Sequence, residues 1–233
     1  MLPLRDNVPT RTTPVVNYVL IAANVAVFFH ELALGRGLQR FIDHYALVPL
    51  RYAATALIHK IGVTAWLAPF FTSMFLHGGW LHIIGNMWVL WIFGDNVEDA
   101  LGHLRYLAFY LACGLAAAGT QLWASWRSPY PTLGASGAIA GVMGAYLLLY
   151  PRARVLTLVP IFFFLKVVEL PATLFLGLWI LLQFYSGTAA LAHTGELGGV
   201  AWWAHVGGFL SGIILLGLFL PRSGSSSSGR RRR

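Results

Sequence analysis

Leu133-Gly134-Ala135-Ser136-Gly137-Ala138-Ile139-Ala140-Gly141-Val142-Met143-Gly144 emerges from loop chemistry (Pro129, Tyr130, Pro131, Thr132) and runs on, apolar, to Tyr150. It reads as a helix able to enter a membrane, with Ser136 at or near its N-terminus. Unpaired backbone N–H groups and the positive end of the helix dipole favour a developing anion there. Gly134 and Gly137 let a second backbone, or a substrate chain, approach the hydroxyl closely. Ala138 stands where the nucleophile elbow of soluble hydrolases has its second glycine, so this is not that motif. Alone, such a helix is a packing face. Chemistry requires a base.

The rest of the chain agrees with a membrane setting. Of its 233 residues 58% are hydrophobic and only 10% charged, against roughly 25% charged in soluble domains, and the mean hydropathy is +0.68. The length fits one domain. A single cysteine, Cys113, lies in an apolar run, so neither a disulfide framework nor a cysteine zinc site is available. The net charge of +8 comes from cations in loops and tail, without an aromatic-interleaved basic patch. It fits contact with anionic lipid and topology setting, not nucleic acid.

Met1 to Pro14 is a short basic segment, expected in the cytoplasm. Residues 15–222 are expected to form one membrane domain, and 223–233 a disordered basic tail. Spans are expected over about 15–34, 80–93, 104–126, 136–150, 171–185 and 202–220. The first is not followed by a small-residue cleavage site, so it reads as a retained span. Residues 35–69 mix cations with apolar patches and read as a partly embedded, interfacial loop. Residues 155–164, broken by Pro160, read as re-entrant or interfacial. Six spans put both termini on one side, where eleven cations lie against five on the other. The positive-inside rule then places both termini in the cytoplasm, giving a multi-pass protein of a prokaryotic plasma membrane.

Polar side chains inside spans are functional suspects. The second span opens His77-Gly78-Gly79-Trp80-Leu81-His82-Ile83-Ile84-Gly85-Asn86. His82 and Asn86 stand at i and i+4 on one helical face, either aiming two donors at one anionic oxygen or hydrogen bonding within the bundle. His77 precedes the helix and reads as structural. The sixth span holds Ala204-His205-Val206-Gly207-Gly208, then Gly212. Gly208 and Gly212 make a small face below His205, as Gly137 and Gly141 do below Ser136. Two such helices can nearly touch backbones. Ser136 and His205 sit at matching depth, and a serine paired with an imidazole is an activated nucleophile.

Together, Gly134-Ala135-Ser136-Gly137, His82-x-x-x-Asn86 after Phe75-Leu76-His77, and Ala204-His205-x-x-Gly208-x-x-x-Gly212 resemble the rhomboid intramembrane serine proteases. Glu98-x-x-x-Gly102-x-x-Arg105-Tyr106 is similar to that family's junction after the second span. The resemblance covers about residues 65–220. It implies an all-α, six-helix bundle in which Ser136 is the nucleophile and His205 the general base and acid. His82, Asn86 and the Ser136 N–H would form the oxyanion hole. It implies no cofactor and no metal. The substrates implied are membrane proteins with helix-destabilised transmembrane segments. No acidic residue sits in a span where it could orient His205. Two positions depart from the family: Ala140 stands where many relatives carry a tyrosine against the histidine ring, and Trp66-Leu67-Ala68-Pro69 replaces the Trp-Arg pair of the first loop. Trp202 or Trp203 is expected to help fix the ring. The fifth span and residues 188–200 are expected to gate the site.

The competing readings are a non-catalytic relative that binds unstable transmembrane helices, and a channel or transporter. The second would need charges at mid-span and paired broken helices, and neither pattern is present.

Overall fold

The computed structural model describes residues 1–53, 62–161, 164–192 and 200–221. A strand, β1 (Leu2–Asp6), precedes α1 (Val15–Ala33). The described residues of the first loop hold the short helices α2 (Leu38–Tyr45), α3 (Pro49–Ala53) and α4 (Val63–Thr72). Next come α5 (Trp80–Leu101), α6 (His103–Ala124) and α7 (Ser136–Leu149). A hairpin of β2 (Arg154–Ile161) and β3 (Phe164–Pro171) leads into α8 (Ala172–Ala192) and α9 (Trp202–Phe219).

α7 is the hub. Every residue from Gly137 to Tyr146 is buried, enclosed by α5, α6, α8 and α9. Its 14 residues reach only ~21 Å at 1.5 Å each, short of a ~30 Å hydrocarbon core, so it lies inside the protein instead of against lipid. Small residues make that enclosure possible: a Cβ built on Gly144 would fall 2.2 Å from the Phe209 carbonyl oxygen.

Among the described residues, four helices are long and apolar enough to cross a bilayer: Val15–Ala33, His103–Ala124, Ala172–Leu191 and Trp202–Phe219. α5 is longer than its expected span. It continues to Leu101, and Asp95, Glu98 and Asp99 on its last turns each accept hydrogen bonds from the N-terminal end of the chain. Thr10 donates to Asp95, Thr12 to Asp99, and the Val16 and Asn17 N–H groups to Glu98 at 2.9 and 2.7 Å. Glu98 thus caps α1. Gly102, with φ +78°, makes the turn into α6. Arg105 is exposed and makes no hydrogen bond or ion pair among the described residues.

An inward polar stripe fastens α1. Asn17, Asn24 and Glu31 recur every seven residues and all are buried. Asn17 donates to the Leu90 carbonyl and accepts from Tyr106, while the Glu31 carboxylate accepts the His77 N–H.

The all-α expectation fails at one end. β1, β2 and β3 form an antiparallel sheet in that order. Of the expected re-entrant or interfacial stretch 155–164, residues 155–161 therefore lie in β2 and Phe164 opens β3, while 162–163 lie outside the described residues. Val155, Thr157, Val159, Val167 and Val168 are β-branched and favour extended backbone, and Pro160 sits near the tip, away from a helix. The N-terminal segment, read only as short and basic, supplies the third strand. Asp6 ties it down by accepting hydrogen bonds from Asn96 and Tyr146. The fifth span is also longer than expected, ending at Ala192. The remainder of the anticipated gating loop, 193–199, lies outside the described residues, as does the tail from 222.

Candidate active site

Ser136 is the first residue of α7, so its N–H is among the four without an intrahelical partner. Its Oγ lies 2.8 Å from His205 Nε2. The expected closeness of the two glycine-faced helices produces this contact. A Cβ on Gly208 would fall 2.0 Å from the Gly137 carbonyl oxygen. On the side of α7 toward α6, a Cβ built on Gly137 would fall 2.6 Å from Ala117 Cβ, and one on Gly141 2.4 Å from Cys113 Cβ. α7 is thus clasped between α6 and α9, and side chains one turn above the α9 contact meet at one level.

The opposite side of the site comes from α5. The Gly78 N–H points at His82 Nδ1, 3.4 Å away. With Nδ1 accepting, the ring proton is on Nε2. That nitrogen faces the loop before Ser136: a Cβ on Gly134 would fall 2.7 Å from His82 Nε2 and 3.6 Å from Asn86 Nδ2. Gly134 also has φ +119°, so backbone conformation and space both demand glycine there. Asn86 spends one amide hydrogen on His77 Nε2, 3.0 Å away, leaving the other for the site. His77 is buried, donates from Nδ1 to the Phe75 carbonyl at 3.3 Å, and is neutral, because burial and the neighbouring His82 lower its pKa to about 4. His77 thus sits behind Asn86, and the Glu31 carboxylate in turn accepts its backbone N–H.

These groups face one cavity of about 1430 Å³, lined among others by His82, Asn86, Ser136 and His205. It reaches α8 at Gly187 and α5 at Leu81, and Leu81 is 89% exposed. The site is thus bordered by α5 and α8 as well as by the loop residues from Ser125 to Leu133.

His205 is held by residues the sequence reading passed over. Its Nδ1 lies 2.7 Å from Gln183 Oε1 of α8. Trp179, one turn earlier, places its ring 5.8 Å from the imidazole at 36°. Trp202 touches the ring only edge-on, at 6.2 Å, while Trp203 packs against Phe184. Trp179 therefore does more of the work expected of the α9 tryptophans. Ala140 is buried and offers no ring. The spacing of 179 and 183 places both on one helical face, a signal visible only once α8 is known to meet α9.

The rhomboid domain model matches residues 64–222. The chain is 29% identical over 218 residues to "Rhomboid protein 1, mitochondrial" of Saccharomyces cerevisiae, covering 92% of this chain and 56% of that protein. It is 33% identical over 155 residues to "Rhomboid protease GluP" of Bacillus subtilis, covering 66% and 26%. It is 30% identical over 206 residues to "Presenilin-associated rhomboid-like protein, mitochondrial" of Homo sapiens, covering 83% and 45%. The chain thus spans about half the length, or less, of these three relatives. The expected prokaryotic plasma membrane, with termini in its cytoplasm, is corrected by the yeast and human matches, which point to an integral membrane protein of mitochondria. Hydropathy and cation counts report that a chain crosses a bilayer and how its loops divide, not which bilayer it crosses. With a matched domain covering well over half of its residues, the chain belongs to the rhomboid family.

Proposed function

We propose that this protein is an intramembrane serine endopeptidase that cleaves membrane proteins within helix-destabilised transmembrane segments. The observation that carries the reading is the 2.8 Å contact between Ser136 Oγ and His205 Nε2 at the wall of a cavity lined by α5, α8 and α9. α5 and α7 complete a six-span bundle with the four long apolar helices, and the membrane domain covers residues 15–222.

Helical backbone is internally bonded and shielded, so a substrate must unwind locally to present a scissile carbonyl. Ser136 Oγ attacks the carbonyl carbon as His205 Nε2 takes its proton. The developing oxyanion accepts hydrogen bonds from His82 Nε2–H, the free Asn86 amide hydrogen and the Ser136 N–H. His205 then returns the proton to the leaving amine, the C–N bond breaks and an acyl-enzyme remains. Water, activated by the same imidazole, hydrolyses the ester and restores Ser136. Such donors act strongly because they are fixed before charge develops, and here Gly78 and His77 fix them.

A non-catalytic relative that only binds unstable helices would need the cavity but not the Ser136–His205 contact. A fluorophosphonate probe separates the two readings. Labelling of the wild type at Ser136, lost in Ser136→Ala and His205→Ala, supports the protease. Unlabelled Ser136 in folded protein contradicts it.

A further inference from the structure

We propose that Gln183 is the positioning residue of this dyad, acting from α8 as the third member that its sequence lacks among acidic residues. The inference rests on the serine-protease reading above. Gln183 is buried, 8% exposed, and its Oε1 lies 2.7 Å from His205 Nδ1. An amide oxygen can only accept, so the imidazole proton is held on Nδ1. That leaves the lone pair of Nε2 directed at Ser136 Oγ, the one tautomer that can take the hydroxyl proton. The hydrogen bond at one ring nitrogen decides the state of the other.

Trp179 adds the second restraint. At position 140 a ring one turn below Ser136 would have supported the imidazole, but alanine stands there. The indole of Trp179, 5.8 Å away and tilted by 36°, covers that imidazole from α8 instead. Hydrogen bond and ring contact thus come from the same helical face, one turn apart.

During acylation the proton moves from Ser136 Oγ to His205 Nε2, and the Nδ1–H stays on Gln183. The amide dipole then stabilises the imidazolium without a net charge, so no carboxylate has to be buried in the bundle. Because both restraints belong to α8, the imidazole is aligned only while α8 is docked against α9. α8 carries the smallest buried share of the four long spans, 22% of its apolar window. The least buried of these four helices is therefore the one that arms the base.

The test compares wild type, Gln183→Met and Gln183→Glu in proteoliposomes with a model transmembrane substrate, alongside 15N-histidine NMR in which the His205 signals are assigned by their loss in His205→Ala. Wild type should carry the His205 proton on Nδ1. Gln183→Met, similar in shape but without the amide oxygen, should lose that signature and lower kcat roughly 10–100-fold, by analogy with loss of the outer-shell partner of a metal-bound imidazole, with KM little changed. Gln183→Glu keeps an acceptor and should stay within a few-fold of wild type. A wild-type His205 protonated on Nε2, or Gln183→Met with wild-type kcat, overturns the proposal. Full cleavage by Ser136→Ala would instead overturn the protease reading itself.

Discussion

A methyl group placed on Gly212 would lie 1.9 Å from the carbonyl oxygen of Gly141. The obstacle is backbone, which cannot rotate aside as a side chain can. Gly212→Val must therefore push α9 from α7, and overpacking of this kind costs about 1–3 kcal/mol. Thermal unfolding in detergent should show the loss, and cleavage at a permissive temperature should fall as well, because the same contact sets the distance between hydroxyl and imidazole. Gly217, on the same helix with nothing within 4 Å of a built Cβ, should accept alanine with neither effect.

On α5, Asn86→Ala removes a donor whose second hydrogen already holds His77. Loss of one oxyanion-hole donor costs about 10²–10³ in kcat, so steady-state kinetics should show kcat falling with KM nearly constant. His77→Leu should lower kcat in the same direction but less, since it leaves the Asn86 amide present and merely unheld.

The meeting of Ser136 and His205, the proposed reactive centre, was legible because it is written in small residues and spacings. Ser136 and His205 each precede a glycine face, and His82 and Asn86 share one helical turn. Gln183 was not legible, because an isolated glutamine in an apolar helix means nothing until its neighbours are known. The polar stripe of Asn17, Asn24 and Glu31 was equally silent, since its period shows only when the partners Leu90, Tyr106 and His77 are brought up to it. The sheet was missed for another reason. β1 and β2 pair across some 150 residues of sequence, and a single apolar strand next to Pro160 cannot be told from an interfacial segment by periodicity alone.

That sheet yields a pH prediction. Burial, helped by the nearby Asp95 charge and opposed by the Tyr146 hydrogen bond, raises the Asp6 pKa from 3.8 to about 6. The unfolded chain then loses its proton at lower pH than the folded one, so stability falls as pH rises from about 4 to 6. Asp6→Asn, which keeps an acceptor for Tyr146, should flatten this part of the melting-temperature profile and raise the melting temperature at neutral pH.

Glu98 makes the opposite case, a buried carboxylate that the fold requires. It takes the Val16 and Asn17 N–H groups at the start of α1 and a hydrogen bond from His103. Glu98→Ala would strand those backbone donors, at about 1–3 kcal/mol for each buried one, while Glu98→Gln keeps an acceptor and should cost less. Denaturant titration of both variants in micelles measures the difference.

The most direct test of the dyad is cleavage of a purified model transmembrane substrate in proteoliposomes by wild type, Ser136→Ala and His205→Ala. Cleavage by wild type alone, with both variants folded and silent, is the predicted result. Cleavage at wild-type rate by either variant would contradict the account.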